Sequence, residues 1–221
     1  MDKKDNGIFI VIEGCDCVGK STVSKIIVEK LKEIVGDKVV YTYNPYKEGL
    51  AGEISKVFYN NDMDDKTRAL LVLSAISANM ENNILPALND GKIVICDRFV
   101  RSTLIYQGFS DYNKNMLDYA CFNHAALLAT KYRYPDYEFV LQIPFDELLR
   151  RKGIRNEPED IIESKGIDFL KKVYEGYKDD RLFILGHSMP TVIDAIYDPE
   201  EVAQDILSHI IFSVMGNDDE N

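Results

Sequence analysis

The chain has 221 residues, 46% of them hydrophobic, and a formal net charge of −11. That apolar content rules against wholesale disorder, and the acidic balance rules against a partner built like a nucleic-acid backbone. No apolar run reaches the roughly 18–20 residues of a membrane span and no signal-peptide pattern opens the chain, so a cytoplasmic protein of one domain over residues 1–221 is expected.

Ile8-Phe9-Ile10-Val11-Ile12 reads as a buried parallel strand. Gly14-Cys15-Asp16-Cys17-Val18-Gly19-Lys20-Ser21-Thr22 follows with the spacing G-x-x-x-x-G-K-S, and Ile26, Ile27, Leu31 and Ile34 then recur as on one face of a helix. Strand, glycine loop and helix together make a phosphate cradle. Glycines let successive backbone N–H groups face one phosphate chain, and the helix start adds positive dipole. All nine loop residues are therefore candidates for binding ATP, with Lys20 bridging the β and γ phosphates and Ser21 ligating Mg2+. Cys15 and Cys17 form a lone C-x-C without a second pair and read as loop residues of a reduced protein. A thiol there becomes reactive if the loop's positive dipole lowers its pKa.

Residues 38–43 read as the second strand, 44–49 as a loop, 50–59 as a helix and 66–88 as one long helix stopped by Asn89-Asp90-Gly91. A third strand over 92–97 ends in Asp97-Arg98, and helices are expected at 102–107 and 115–130. Residues 138–143 form the next strand, a basic segment at 150–155 follows, and acidic helical sequence runs to Tyr177. Leu182–Leu185 and then Thr191–Ile193 read as a last strand or pair of strands, before a closing helix from Glu200 to Val214. Alternating strands and helices predict a three-layer α/β/α sandwich of the P-loop type, with a central parallel sheet of about five strands. The ends, 1–6 and 216–221, are expected to fray.

Asp97 falls at the carboxyl edge of the predicted sheet, where an acid can share a magnesium shell with Ser21, and Arg98 beside it offers a planar fork for phosphate. A plain strand-end ion pair has the same sequence. The wider pattern narrows the choice. Glu13-Gly14-x-Asp16-x-x-Gly19-Lys20-Ser21-Thr22, Pro86-Ala87-Leu88-x-x-Gly91-Lys92, Asp97-Arg98-Phe99-x-x-Ser102-x-x-x-Tyr106-Gln107-Gly108, Pro135-Asp136 and Val192-Ile193-Asp194-Ala195 together resemble the thymidylate kinase family.

The resemblance implies transfer of the γ-phosphoryl of ATP to the 5′-phosphate of dTMP, giving dTDP and ADP, in a homodimer whose partners are small nucleotides. The alternatives are a kinase for another deoxynucleoside monophosphate or for a deoxynucleoside, and a nucleotide-binding member without catalysis. It further implies that Asp16 accepts from the sugar hydroxyl, that Arg98 grips the acceptor's phosphate, that Ser102 belongs to the acceptor site, that Tyr106 lies against the deoxyribose and that Gln107 meets the base. Cys17 stands where some members carry a catalytic arginine, so the finger is expected from a lid over 150–160, with Arg155 first and Arg151 second; Asp160 and Glu163 resemble the acidic pair after the lid. Two departures stand out. Counted back from Gly91, the base-facing phenylalanine and arginine of the family become Leu73 and Ser77, with Asn79 or Arg68 as possible substitutes; and Lys47 is the cation available in the loop after the second strand.

Overall fold

The computed structural model describes residues 7–108, 116–154, 165–179, 182, 184 and 186–216, with side chains to 211. Strands β1 (Ile8–Gly14), β2 (Val39–Tyr43), β3 (Ile93–Asp97), β4 (Tyr137–Gln142) and β5 (Thr191–Asp194) form one parallel sheet in the order β2-β3-β1-β4-β5. β1 and β3 are buried at every position, which is why their apolar residues run on without alternating. Helices cover the sheet: α1 (Lys20–Val35), α2 (Gly49–Asn60), α3 (Asp65–Asn79), α4 (Leu85–Asn89), α5 (Val100–Tyr106), α6 (Met116–Ala129), α7 (Phe145–Ile154), α8 (Ile167–Lys178) and α9 (Pro199–Gly216). The expected three-layer parallel α/β fold is therefore present.

Strand order decides where the site lies. The chain leaves β1 toward β2, returns to insert β3 beside β1, and then crosses to β4 on the other side. Connections diverge from the carboxyl ends of β1 and β3, opening a crevice there. Ile12 is paired with Asp97 and the Arg98 N–H donates to the Ile12 carbonyl at 2.9 Å, so the loops after both strands start side by side.

Two elements differ from expectation. The long helix is interrupted: Asp64 caps α3 by accepting from the N–H groups of Lys66 (2.9 Å) and Thr67 (3.0 Å), and the helix then widens into a π segment, Met80–Ile84, before α4. The widening immediately precedes Pro86, whose ring would crowd a preceding carbonyl in a regular helix and which lacks an N–H to donate. Leu182 and Ile184 belong to no strand, and β5 is Thr191–Asp194 alone. Both of these side chains are buried in the core, while the Leu182 and His187 N–H groups close local turns.

Packing also fixes α2. A Cβ on Gly52 would stand 2.3 Å from the Lys47 carbonyl oxygen, a backbone atom that cannot swing aside. Gly52→Ala is expected to force α2 off the loop and lower Tm by roughly 2–10 °C, from about 1–3 kcal/mol of overpacking, measurable by thermal unfolding.

Candidate active site

The phosphate loop has the backbone its sequence demands. Gly14 adopts φ 140°, and a Cβ there would meet the Leu141 carbonyl oxygen at 2.6 Å. Cys17 sits at φ 64°, in the left-handed region, and Gly19 precedes the first turn of α1. Lys20 folds back over the loop and donates from Nζ to the Cys15 carbonyl at 2.5 Å. Burial, helped by the nearby Arg98 charge, lowers the Lys20 pKa. The buried ammonium is thus poorly compensated, a condition an incoming phosphate chain would relieve. Cys15 is buried and its thiol is pushed up to about 12 by desolvation, so the reactive-thiol expectation fails at this position.

Ser21 Oγ donates to Asp97 Oδ2 at 2.5 Å, while Asp97 Oδ1 is buried with no hydrogen-bond partner among the described residues. A hydroxyl beside a carboxylate with an unused oxygen is the hard-oxygen pair that Mg2+ takes when phosphates and water complete its shell. The donor set fits the metal.

Beside the loop lies a cleft lined by Asp16, Arg98, Ser102, Tyr106 and Gln107, and by the Phe58, Tyr59 and Val72 wall. Arg98 has φ 67°, unusual for a long side chain, and its backbone is held by the Ile12 carbonyl and by Asn44, whose Nδ2 donates to the Arg98 carbonyl at 3.1 Å. That backbone turn sends the guanidinium toward the phosphate loop. It donates to the Gly14 carbonyl (3.2 Å), Ser102 Oγ (3.0 Å) and the Asp16 carboxylate. Tyr106 donates to Asp16 Oδ2 at 2.8 Å and accepts from the Asp16 N–H at 3.1 Å. Burial raises the phenol's pKa far above its ordinary value despite Arg98, so it stays a proton donor. Ser102 and Tyr106 are four residues apart on α5, which stacks them on one side of it, and Arg98, two residues before the helix, reaches that side through its bond to Ser102 Oγ.

Glu13 holds this face in place. Its Oε1 accepts from the Phe99 N–H (2.7 Å) and the Ser102 N–H (3.1 Å), taking up donors at the start of α5 that no helical turn can satisfy. Oε2 accepts from Ser102 Oγ (2.6 Å) and the Tyr177 hydroxyl (2.9 Å), and those two oxygens lie 2.7 Å apart. The sequence signal for this role was an acid inside the apolar run of β1, which had served only to match a pattern. A second such signal was Arg101 inside apolar α5, facing Glu138 in apolar β4.

Other candidates are placed differently. Leu73 is packed in the hydrophobic core and Ser77 is half-buried away from the cleft wall; Val72 faces the cleft instead. Arg68 does not reach the base side: it is buried, donating to the carbonyls of Phe58 (2.9 Å) and Asn61 (3.3 Å). Asn79 donates to Thr42 Oγ1 and Asn44 Oδ1, both at 3.1 Å, and so braces the loop that holds Arg98. Lys47 is exposed and outside the lining of the cleft. Arg151 donates to the carbonyls of Val18 (3.3 Å) and Ala195 (3.1 Å) and to Glu147 (2.7 Å), which pins it against the outside of the phosphate loop. Arg155, Asp160 and Glu163 lie outside the described residues.

The Glu13 pKa is raised by burial and by Glu138, with hydrogen bonds from Ser102 and Phe99 and the Arg98 charge opposing. A raised carboxyl supports folding in full below its ordinary value of 4.5 and loses that contribution as pH climbs through the raised one. Glu13→Gln is expected to flatten the stability profile between those two values, as read by urea unfolding across pH. Glu13→Ala, which strands two buried N–H groups, should cost about 1–3 kcal/mol for each.

A family model described as thymidylate kinase matches residues 12–206. Similar proteins include the thymidylate kinase of Lactobacillus acidophilus, 36% identical over 194 residues, covering 83% of this chain and 88% of that one. The thymidylate kinase of Wolbachia pipientis wMel is 35% identical over 78% of this chain and 84% of its own. That of Rickettsia typhi is 32% identical over 95% of this chain and its full length. With the phosphate loop, the Asp97-Arg98 strand end and the Asp16–Arg98–Tyr106 cleft in one crevice, this chain belongs to the thymidylate kinase family.

Proposed function

We propose that the protein transfers the γ-phosphoryl group of ATP to the 5′-phosphate of dTMP, yielding dTDP and ADP. The observation that carries this reading is the side-by-side placement of the Lys20 loop and the Arg98 guanidinium, a donor cradle and an acceptor clamp in one crevice. Phosphoryl transfer asks mainly for positioning and charge neutralisation. The loop N–H groups and Lys20 hold the ATP phosphates. Arg98 orients the acceptor phosphate and offsets charge as it develops on the transferring group. Asp16, with its carboxylate fixed by Tyr106 and Arg98, accepts from the sugar hydroxyl, and the Tyr106 ring closes the cleft against the deoxyribose. Ser21 and Asp97 would hold Mg2+, which supplies neutralising charge to the phosphate oxygens when bound. Gln107 and Thr103 face the base beside Phe58, Tyr59 and Val72.

A second acceptor base is favoured by one feature. The wall from α3 offers Val72, with no arginine of the described cleft residues on the base side, so thymine would be read by fewer directed hydrogen bonds. The proposal extends to a homodimer in the cytoplasm. Leu70 on α3 and Met116, Leu117 and Leu128 on α6 are exposed on two helices that touch, an apolar surface a second copy would cover, and the cysteines are all free.

An ADP-release assay across deoxy- and ribonucleoside monophosphates tests the reaction: dTMP is expected to give the highest kcat/KM, and a higher value for another base would transfer the assignment to that nucleotide. Lys20→Ala should lower kcat by on the order of 10²–10³ with the fold intact, the loss typical of removing one preorganised donor. Arg98→Ala should raise the dTMP KM and lower kcat while leaving the ATP KM near wild type. Asp97→Asn should raise the Mg2+ concentration needed for half-maximal rate, read directly from a metal titration.

A further inference from the structure

Away from the nucleotide crevice, a second buried carboxylate grips α5. Arg101 and Glu138 have side chains only 5% and 4% exposed, and they meet as a fork: Arg101 Nε donates to Glu138 Oε1 at 2.6 Å and Nη2 to Oε2 at 3.2 Å. The remaining terminal nitrogen donates to the Leu182 carbonyl at 3.3 Å. His187 Nδ1 lies 3.3 Å from Glu138 Oε2, and its ring stacks on Phe99 at 6.1 Å between centroids, with Tyr134 edge-on at 5.9 Å. The cluster therefore grips both α5, through Arg101, and Phe99 just before it, through His187.

A buried ion pair is a poor source of stability, because desolvation of both charges offsets most of their attraction. Its directional geometry is another matter. α5 has seven residues, too few to hold a helix by its own hydrogen bonds, so its rotation is set by what grips it. Glu13 fixes its first turn along the axis. Arg101 stands between Arg98 and Tyr106 in sequence, and a planar fork permits little rotation about the helix axis.

We propose that Arg101, fastened by Glu138 and His187, is a positioning residue for the acceptor: its fork sets the rotation of α5 that aims Ser102 and Tyr106, and through Ser102 the Arg98 guanidinium, into the cleft. The inference rests on the cleft being the nucleoside monophosphate site. It predicts that loss of the fork damages acceptor binding more than ATP binding. ATP is held by the loop between β1 and α1, which does not depend on Arg101.

The test compares Arg101→Lys, which keeps the charge and loses the fork, with the double variant Arg101→Met/Glu138→Leu, which replaces the pair by apolar groups. Steady-state kinetics varying dTMP and ATP separately are read beside thermal unfolding. In both variants the dTMP KM should rise, roughly tenfold or more in the double variant and less in Arg101→Lys, with the ATP KM within about twofold of wild type; a displacement of about 1 Å remote from the chemistry can cost about 100-fold. Should the double variant fail to fold, Arg101→Lys decides alone. A dTMP KM within about twofold of wild type in every folded variant, or an ATP KM that rises in step, overturns the proposal and leaves the pair a stability element. A wild-type protein that turns over dTMP with this insensitivity loses only the clamp. One that binds ATP and ignores dTMP loses the acceptor reading, and the clamp with it.

Discussion

A carboxylate with no access to solvent sits at the end of the central strand, and the acceptor half of the site depends on it. Glu13 receives two backbone N–H groups and two hydroxyls, so that the start of α5, the side chain of Ser102 and the far end of α8 converge on one residue. Burying an acid beside another acid is costly. The arrangement persists because each oxygen has donors. Ser102 passes the constraint on, donating to Glu13 while accepting from Arg98. The orientation of the Arg98 guanidinium therefore traces back to a strand residue outside the cleft lining.

Sheet topology supplies the other constraint. Because β3 lies between β2 and β1, the two connections that carry chemistry leave neighbouring strand ends in opposite directions. Asp97 and Ser21, 76 positions apart in sequence, come within a hydrogen bond without either loop having to reach. The unusual φ of Arg98 is localised strain of the kind that a packed surround can impose, here through the Ile12 carbonyl and Asn44.

The fold and the backbone of the glycine loop were legible because they rest on local rules. An unbroken apolar strand, a glycine loop and an amphipathic helix each announce themselves within a short window. The Asp97-Arg98 pair was legible from its place at a strand end. Interactions across elements were harder to read. Nothing local says that Glu13 caps a helix 86 positions later, or that Arg101 pairs with Glu138 rather than with a phosphate. Charged residues inside apolar runs were the available clue, since such a residue must have a buried partner. Leu182 and Ile184 are buried but belong to no strand, and sequence cannot separate burial from strand pairing.

The cleft is assembled from two kinds of material. The wall bearing Ser102 and Tyr106 stands on α5, tied to β1 and β4 through buried carboxylates, whereas Phe58, Tyr59 and Val72 come from α2 and α3. Changes on the second wall can accumulate without disturbing the machinery that handles phosphate. Such a division makes base preference a trait free to drift in a lineage, while the transfer chemistry stays under constraint.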